Sequence, residues 1–122
     1  MLNYARSTPS QEFLNELYEY ESSDKTFPLR FKNTKGRRVK GMRPGRVLVN
    51  THRNDYYQTQ IPIGSGNYYT MSRIVWKFHY GTEPTGVIDH INGDSTDNRI
   101  ENLQDITQKQ NLNKKAGEVI TA

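Results

Sequence analysis

Cysteine is absent from this 122-residue chain, which excludes disulfides and thiolate-ligated zinc and suits a reducing compartment. Any metal must be held by His, Asp, Glu or Asn. Apolar side chains are scarce: Leu, Ile, Val and Phe together number 25, near the level at which chains stay disordered. Eight Tyr, one Trp and a net charge of only +4 nevertheless point to one folded domain with a small core and polar loops. No apolar run approaches a membrane span, and the first residues lack the basic-then-apolar order of a signal peptide. The expectation is a soluble cytoplasmic protein with no membrane partner.

Acidic residues are missing from one quarter of the chain. Residues 1–24 hold five acids against Arg6, and residues 55–122 hold eight acids against six bases, but residues 25–54 hold ten Lys or Arg and no acid. Lys25, Arg30, Lys32, Lys35, Arg37, Arg38, Lys40, Arg43, Arg46 and Arg53 are interspersed with Gly36, Gly41, Gly45 and Pro44. Such a stretch is either a solvated loop face or a surface that follows a phosphate backbone.

Periodicity outlines the elements. Thr8 as cap, Pro9 at the first helical position and Gln11 completing a capping box predict a helix over 9–20, with Phe13, Leu14, Leu17 and Tyr18 on one face. The segment 26–31 reads as an edge strand, because Pro28 cannot donate to a central ladder. Val47–Val49, the alternating run 57–63 and the segment 68–70 after a Gly-Ser-Gly-Asn turn predict a small antiparallel sheet. Residues 71–80 take the helical period, with Ser72 as cap and Gly81 as terminator. Then come a strand at Val87 and Ile88, a polar loop over 92–102, a strand over 103–106, and a helix over 108–115 between Thr107 and Gly117. The fold class is α+β.

The polar loop begins "IDHINGDSTDNRIENL". Adjacent side chains on a strand point to opposite faces, so Asp89 and His90 serve one site only where the strand ends and the backbone turns. Asn92-Gly93 supplies such a turn. On that reading Asp89 offers a carboxylate to a hard cation and His90 an imidazole to a water molecule; the alternative is an Asx-rich surface loop with a bystander histidine. An EF-hand is excluded. With Glu101 in the twelfth position, Ser95 stands where Gly is required, and with Gly93 in the sixth, Arg99 stands where Glu is required.

This stretch, continued by "QDITQKQNLN", resembles the HNH endonucleases, specifically the phage and homing-type branch with Asn at the third motif position. The upstream "NYYTMSRIVWKFHYGTEPTG" is similar to the segment that precedes the motif in such proteins, although Ser72 stands where they commonly carry His. The resemblance implies a ββα-metal motif over 87–115, preceded by a basic, DNA-contacting α/β portion over 1–86 and followed by a short tail over 116–122. It implies that His90 is the general base, Asp89 and Asn111 the protein ligands of one divalent ion (Mg²⁺, or Mn²⁺ or another), and Asn102 the residue that pins the loop. DNA is the implied partner and substrate, nicked or cut on both strands without an organic cofactor, in a bacterial host cell with a phage-encoded origin left open, as is a homodimer. Arg37, Arg38, Lys40, Arg43, Arg46, Lys109 and Lys114 are candidate DNA contacts. Arg99 either holds a phosphate or braces the loop. His79 is expected to pack in its helix, and Tyr56, Tyr57, Tyr68 and Tyr69 to pack on the sheet rather than stack on bases. Two other readings remain: a DNA-binding module that keeps the nuclease scaffold without significant catalysis, and a structural metal-binding protein with incidental basic charge.

Overall fold

The computed structural model describes residues 7–49, 57–64 and 67–115. Its first helix, α1 (Gln11–Leu17), begins two residues later than the expected Thr8 cap would place it. Thr8 gives its N–H and hydroxyl to the carboxylate of Glu83 instead, and the Ser10 hydroxyl takes over as cap, accepting the Phe13 N–H at 3.2 Å. The helix also stops at Leu17 rather than running to residue 20. From Tyr18 the burial pattern changes to a period of two: Tyr18 is buried, Glu19 exposed and Tyr20 half-buried, as a strand requires. This strand, β1 (Tyr18–Tyr20), pairs antiparallel with β2 (Leu29–Phe31), and the rings of Tyr18 and Phe31 lie 5.6 Å apart across the ladder. Cross-strand aromatic packing outweighs the helical pattern at this point.

The second sheet follows the sequence reading closely. β3 (Arg46–Val49), β4 (Tyr57–Pro62) and β5 (Tyr68–Thr70) form an antiparallel sheet with β4 in the centre. α2 (Met71–Tyr80) starts directly after β5, with Thr70 at the cap position making no side-chain bond to the helix. Ser72, the expected cap, lies buried inside the first turn. Gly81 ends the helix at φ 75°, a left-handed conformation that glycine adopts without a Cβ clash.

α2 is the spine of the core. It packs against α1, β4, β5 and the 3₁₀ turn Ile100–Asn102, and its Met71, Ile74 and Val75 are buried with Leu14, Tyr18, Leu29, Ile61 and Leu103. Gln11 fastens α1 to it through Nε2, which donates to the carbonyls of Phe78 and His79. Against this support stands a hairpin of β6 (Val87–His90) and β7 (Leu103–Ile106), paired so that Asp89 faces Gln104 and His90 faces Leu103. The last described element is α3 (Gln108–Lys115), which packs on β6. Thr107 and Gln110 form a reciprocal cap: Gln110 N–H donates to Thr107 Oγ1 at 3.1 Å and Thr107 N–H to Gln110 Oε1 at 3.0 Å,. Antiparallel sheets with helices make the fold α+β, and its C-terminal order of strand, loop, strand and helix is the expected one. Gly117, expected to end the last helix, lies outside the described residues, as do His52, Arg53 and Tyr56.

Candidate active site

The backbone turns immediately after His90. Gly93, at φ 79°, returns its N–H to the His90 carbonyl at 2.9 Å. Asp89 and His90 therefore sit at the end of β6 and line a single cavity of about 690 Å³ despite being neighbours on a strand. Asn111 and Lys114 of α3, Arg73 of α2 and Asn98 of the loop line the same cavity.

Asp89 is tightly held. Its side chain is 11% exposed, and Oδ2 accepts Lys114 Nζ at 2.6 Å and Gln104 Nε2 at 2.8 Å. The Lys114 ammonium also donates to the carbonyls of His90 at 2.8 Å and Ile91 at 3.1 Å. Lys114 was expected to face DNA; in the structure its charge is turned inward onto the end of β6. His90 Nε2 lies 2.9 Å from Asn98 Oδ1, and Asn98 Nδ2 donates to the Thr26 carbonyl at 3.1 Å.

The loop between the strands carries a dense network of its own hydrogen bonds. Asn102 is buried; its Oδ1 accepts the Asn92 N–H at 3.0 Å, while Nδ2 donates to the Asp97 carbonyl at 2.9 Å and to Asn92 Oδ1 at 3.0 Å. Its backbone carbonyl accepts the Ile91 N–H at 2.8 Å, so this one residue ties both limbs of the loop to the residues flanking His90. Arg99 forks onto Asp97, with Nε donating to Oδ1 at 2.8 Å and Nη2 to Oδ2 at 2.7 Å, the bidentate geometry that braces a loop. The Arg99 guanidinium, outweighing the effect of burial, holds the Asp97 carboxyl below the usual carboxylate range. Asp94 folds back on Thr96, accepting its hydroxyl at 2.6 Å and its N–H at 2.9 Å. Those bonds, with Lys25 adding to them, draw the Asp94 carboxyl down to about 2.

Residues 69–113 match the family model described as HNH endonuclease. This segment belongs to the HNH endonuclease family. No curated protein and no solved structure matches the chain. The HNH match begins in β5 rather than at Val87 and takes in α2, so the helix that supports the hairpin is part of the family segment. It spans Asp89, His90, Asn102 and Asn111, and it implies a nucleic acid substrate.

Other features of the HNH site carried no signal in the sequence. Gln104 reaches Asp89 because of strand register, which a long intervening loop hides from inspection. Arg73 points into the cavity from α2 and pairs with Glu83 at 2.9 Å. Thr26 acts through its carbonyl, a group every residue possesses. His79 packs as expected, its ring edge-on to Tyr20 at a centroid distance of 4.5 Å, and burial lowers its pKa. Tyr69 is buried against the sheet. Lys109 is exposed on α3.

The basic stretch outside the HNH segment divides into two groups. Arg30 and Arg43 converge on Asp24 Oδ2 at 2.5 and 3.0 Å, and Arg43 also lies over the Phe27 ring at 5.0 Å. Lys25 pairs with Asp94, and Arg38 lies over Phe31. Lys35, Arg37, Lys40 and Arg46 are exposed, and no ion pair to them occurs among the described residues. Among the described residues there is also no cluster of three His, Asp or Glu side chains, and no helix long and apolar enough to cross a membrane.

Proposed function

We propose that the protein is a metal-dependent DNA endonuclease that hydrolyses phosphodiester bonds at the cavity beside β6. The observation that carries this reading is the convergence of Asp89, His90 and Asn111 on one cavity within the HNH segment. The donor chemistry fits a hard divalent cation. Asp89 supplies a carboxylate and Asn111 an amide oxygen, and Mg²⁺ characteristically binds through one or two carboxylates while retaining waters and taking up substrate phosphate. When bound, such an ion supplies Lewis-acid stabilisation of charge on the phosphate and the leaving oxygen.

The chain's own groups do the rest. His90 takes a proton from the attacking water, an effect generally contributing about 10²–10⁴-fold. Asn102 keeps the loop closed behind it, and Arg73, a residue of the cavity wall, turns from Glu83 to hold a phosphate oxygen when DNA is bound. Lys35, Arg37, Lys40 and Arg46 follow the flanking backbone and make the N-terminal portion a DNA-contacting one. Asn111 at the third motif position supports the phage or homing-type branch and, with it, action in the cytoplasm of a bacterial cell.

Relaxation of supercoiled plasmid in Mg²⁺, Mn²⁺ or EDTA tests the reading. Nicking is expected with metal, none with EDTA, and a loss of at least about 100-fold in His90→Ala, with Asn111→Ala also impaired. A parent protein inactive in every metal would remove the enzyme. One observation favours the alternative of a DNA-binding scaffold: the Lys114 ammonium already rests on Asp89, the carboxylate that would hold the ion. That alternative requires salt-sensitive DNA binding, preserved in His90→Ala, with no nicking by the parent.

A further inference from the structure

An imidazole nitrogen beside an amide donates or accepts according to which end of the amide it meets. At His90 the neighbour's other end settles the matter. Asn98 Nδ2 lies 3.1 Å from the Thr26 carbonyl oxygen, which can only accept. The amide is therefore oriented with its NH₂ toward Thr26 and its oxygen toward His90 Nε2, 2.9 Å away. Flipping it would set two acceptors against each other at Thr26. An oxygen facing Nε2 requires that nitrogen to carry the ring proton, so the neutral ring keeps its free lone pair on Nδ1.

Asn98 is well placed to impose this choice. It is 1% exposed, and its own N–H donates to the Lys25 carbonyl at 2.7 Å. Lys25 also reaches across to Asp94 at 3.2 Å, and the Tyr20 hydroxyl accepts the Ile100 N–H at 3.2 Å. The residues holding Asn98 thus come from the hairpin of β1 and β2, outside the 69–113 segment that matches the family.

We infer that Asn98 is a positioning residue for His90: anchored on the carbonyls of Lys25 and Thr26, it fixes the imidazole as the Nε2–H tautomer and leaves Nδ1 to take the proton from water. The functional part of this inference rests on His90 being the base; the tautomer itself does not.

Protein labelled with ¹⁵N in its histidine rings, observed by long-range ¹H–¹⁵N correlation where the ring is neutral, reads the tautomer directly, and His90→Gln assigns the signals. In the parent, Nε2 is expected to be pyrrole-like and Nδ1 pyridine-like. In Asn98→Ala the two shifts converge as the tautomers exchange, and plasmid nicking falls about 10- to 100-fold at saturating DNA with little change in KM. A parent His90 protonated on Nδ1, or Asn98→Ala with unchanged shifts, overturns the inference. The parent spectrum decides the tautomer even where Asn98→Ala fails to fold. These spectra require neither metal nor DNA, so a protein that never nicks refutes the nuclease reading while leaving the tautomer measurement intact.

Discussion

The amide of Asn102 is caught between the Asn92 N–H, which only donates, and the Asp97 carbonyl, which only accepts, so neither a flip nor a shorter side chain satisfies both. Asn102→Ala strands these backbone groups in a buried place and is expected to cost roughly 2–4 kcal/mol, read as a lower urea midpoint at unchanged slope. Lys114→Met removes the cation from Asp89, leaving Gln104 as the donor to Oδ2. Without divalent ions it should melt at a lower temperature than the parent. Added Mg²⁺ should then raise its melting temperature more than the parent's, because the ion no longer competes with an ammonium for Asp89; equal shifts in the two proteins would show that no such competition exists. Two loop carboxylates set an acid limit. Asp97 and Asp94 are both held below the ordinary 3.8, chiefly by Arg99 and by Thr96 respectively, and Asp94 reaches about 2. Between those values the unfolded chain binds more protons than the folded one, so the stability these groups contribute is full above pH 4 and is lost as pH falls toward 2. Thermal melts at pH 5 and pH 3 should show a smaller loss in Asp94→Asn, Asp97→Asn than in the parent.

Elements whose hydrophobic period had no competitor were legible in the sequence, and those contested by a distant partner were not. The run of β4, the helix α2 with its glycine stop and the β6–loop–β7–α3 order all follow from local pattern. Thr8 had the residue type of a cap but met Glu83, 75 positions away, and the aromatic face of Tyr18 served a strand as well as a helix. Close approach is equally silent in sequence. At Gly86 an added Cβ would lie 2.2 Å from the Ile106 carbonyl oxygen and 3.0 Å from Asp105 Oδ1. The Gly86 N–H and the Thr85 N–H meanwhile donate to the Asp105 carboxylate, each at 2.8 Å. Gly86→Ala must therefore push the entry of β6 away from β7. The expected cost is about 1–3 kcal/mol, with hydrogen exchange accelerated first at residues 87–90. Protection in those amides equal to the parent's would show that the hairpin tolerates the displacement.

Across the whole molecule, the hairpin of β1 and β2 links the loop that follows His90 to the start of the basic stretch. Lys25 and Thr26 hold Asn98 through their carbonyls, and the chain then runs on through Lys32, Lys35, Arg37, Arg38 and Lys40. The sequence made Asp89, His90, Asn102 and Asn111 visible because their spacing is local to one motif. It could not reveal the hairpin's part, since hydrogen bonds that backbone carbonyls accept from about 70 positions away leave no trace in composition. It also overstated the free charge, because internal pairing occupies Arg30, Arg43, Lys25 and Lys114. Exposed, unpaired cations should dominate counterion release when DNA binds. The double substitution Arg37→Gln, Lys40→Gln is expected to reduce the slope of log K against log salt by about 1.8, at about 0.9 for each phosphate no longer neutralised, while leaving the melting temperature unchanged. Arg43→Gln should behave in the opposite way: removing one of two guanidinium groups from Asp24 lowers stability but changes the salt slope little. If Arg43→Gln instead altered the slope as much as the double substitution, the division between structural and DNA-facing cations would be wrong, and Asp24 would have to release Arg43 when DNA is bound.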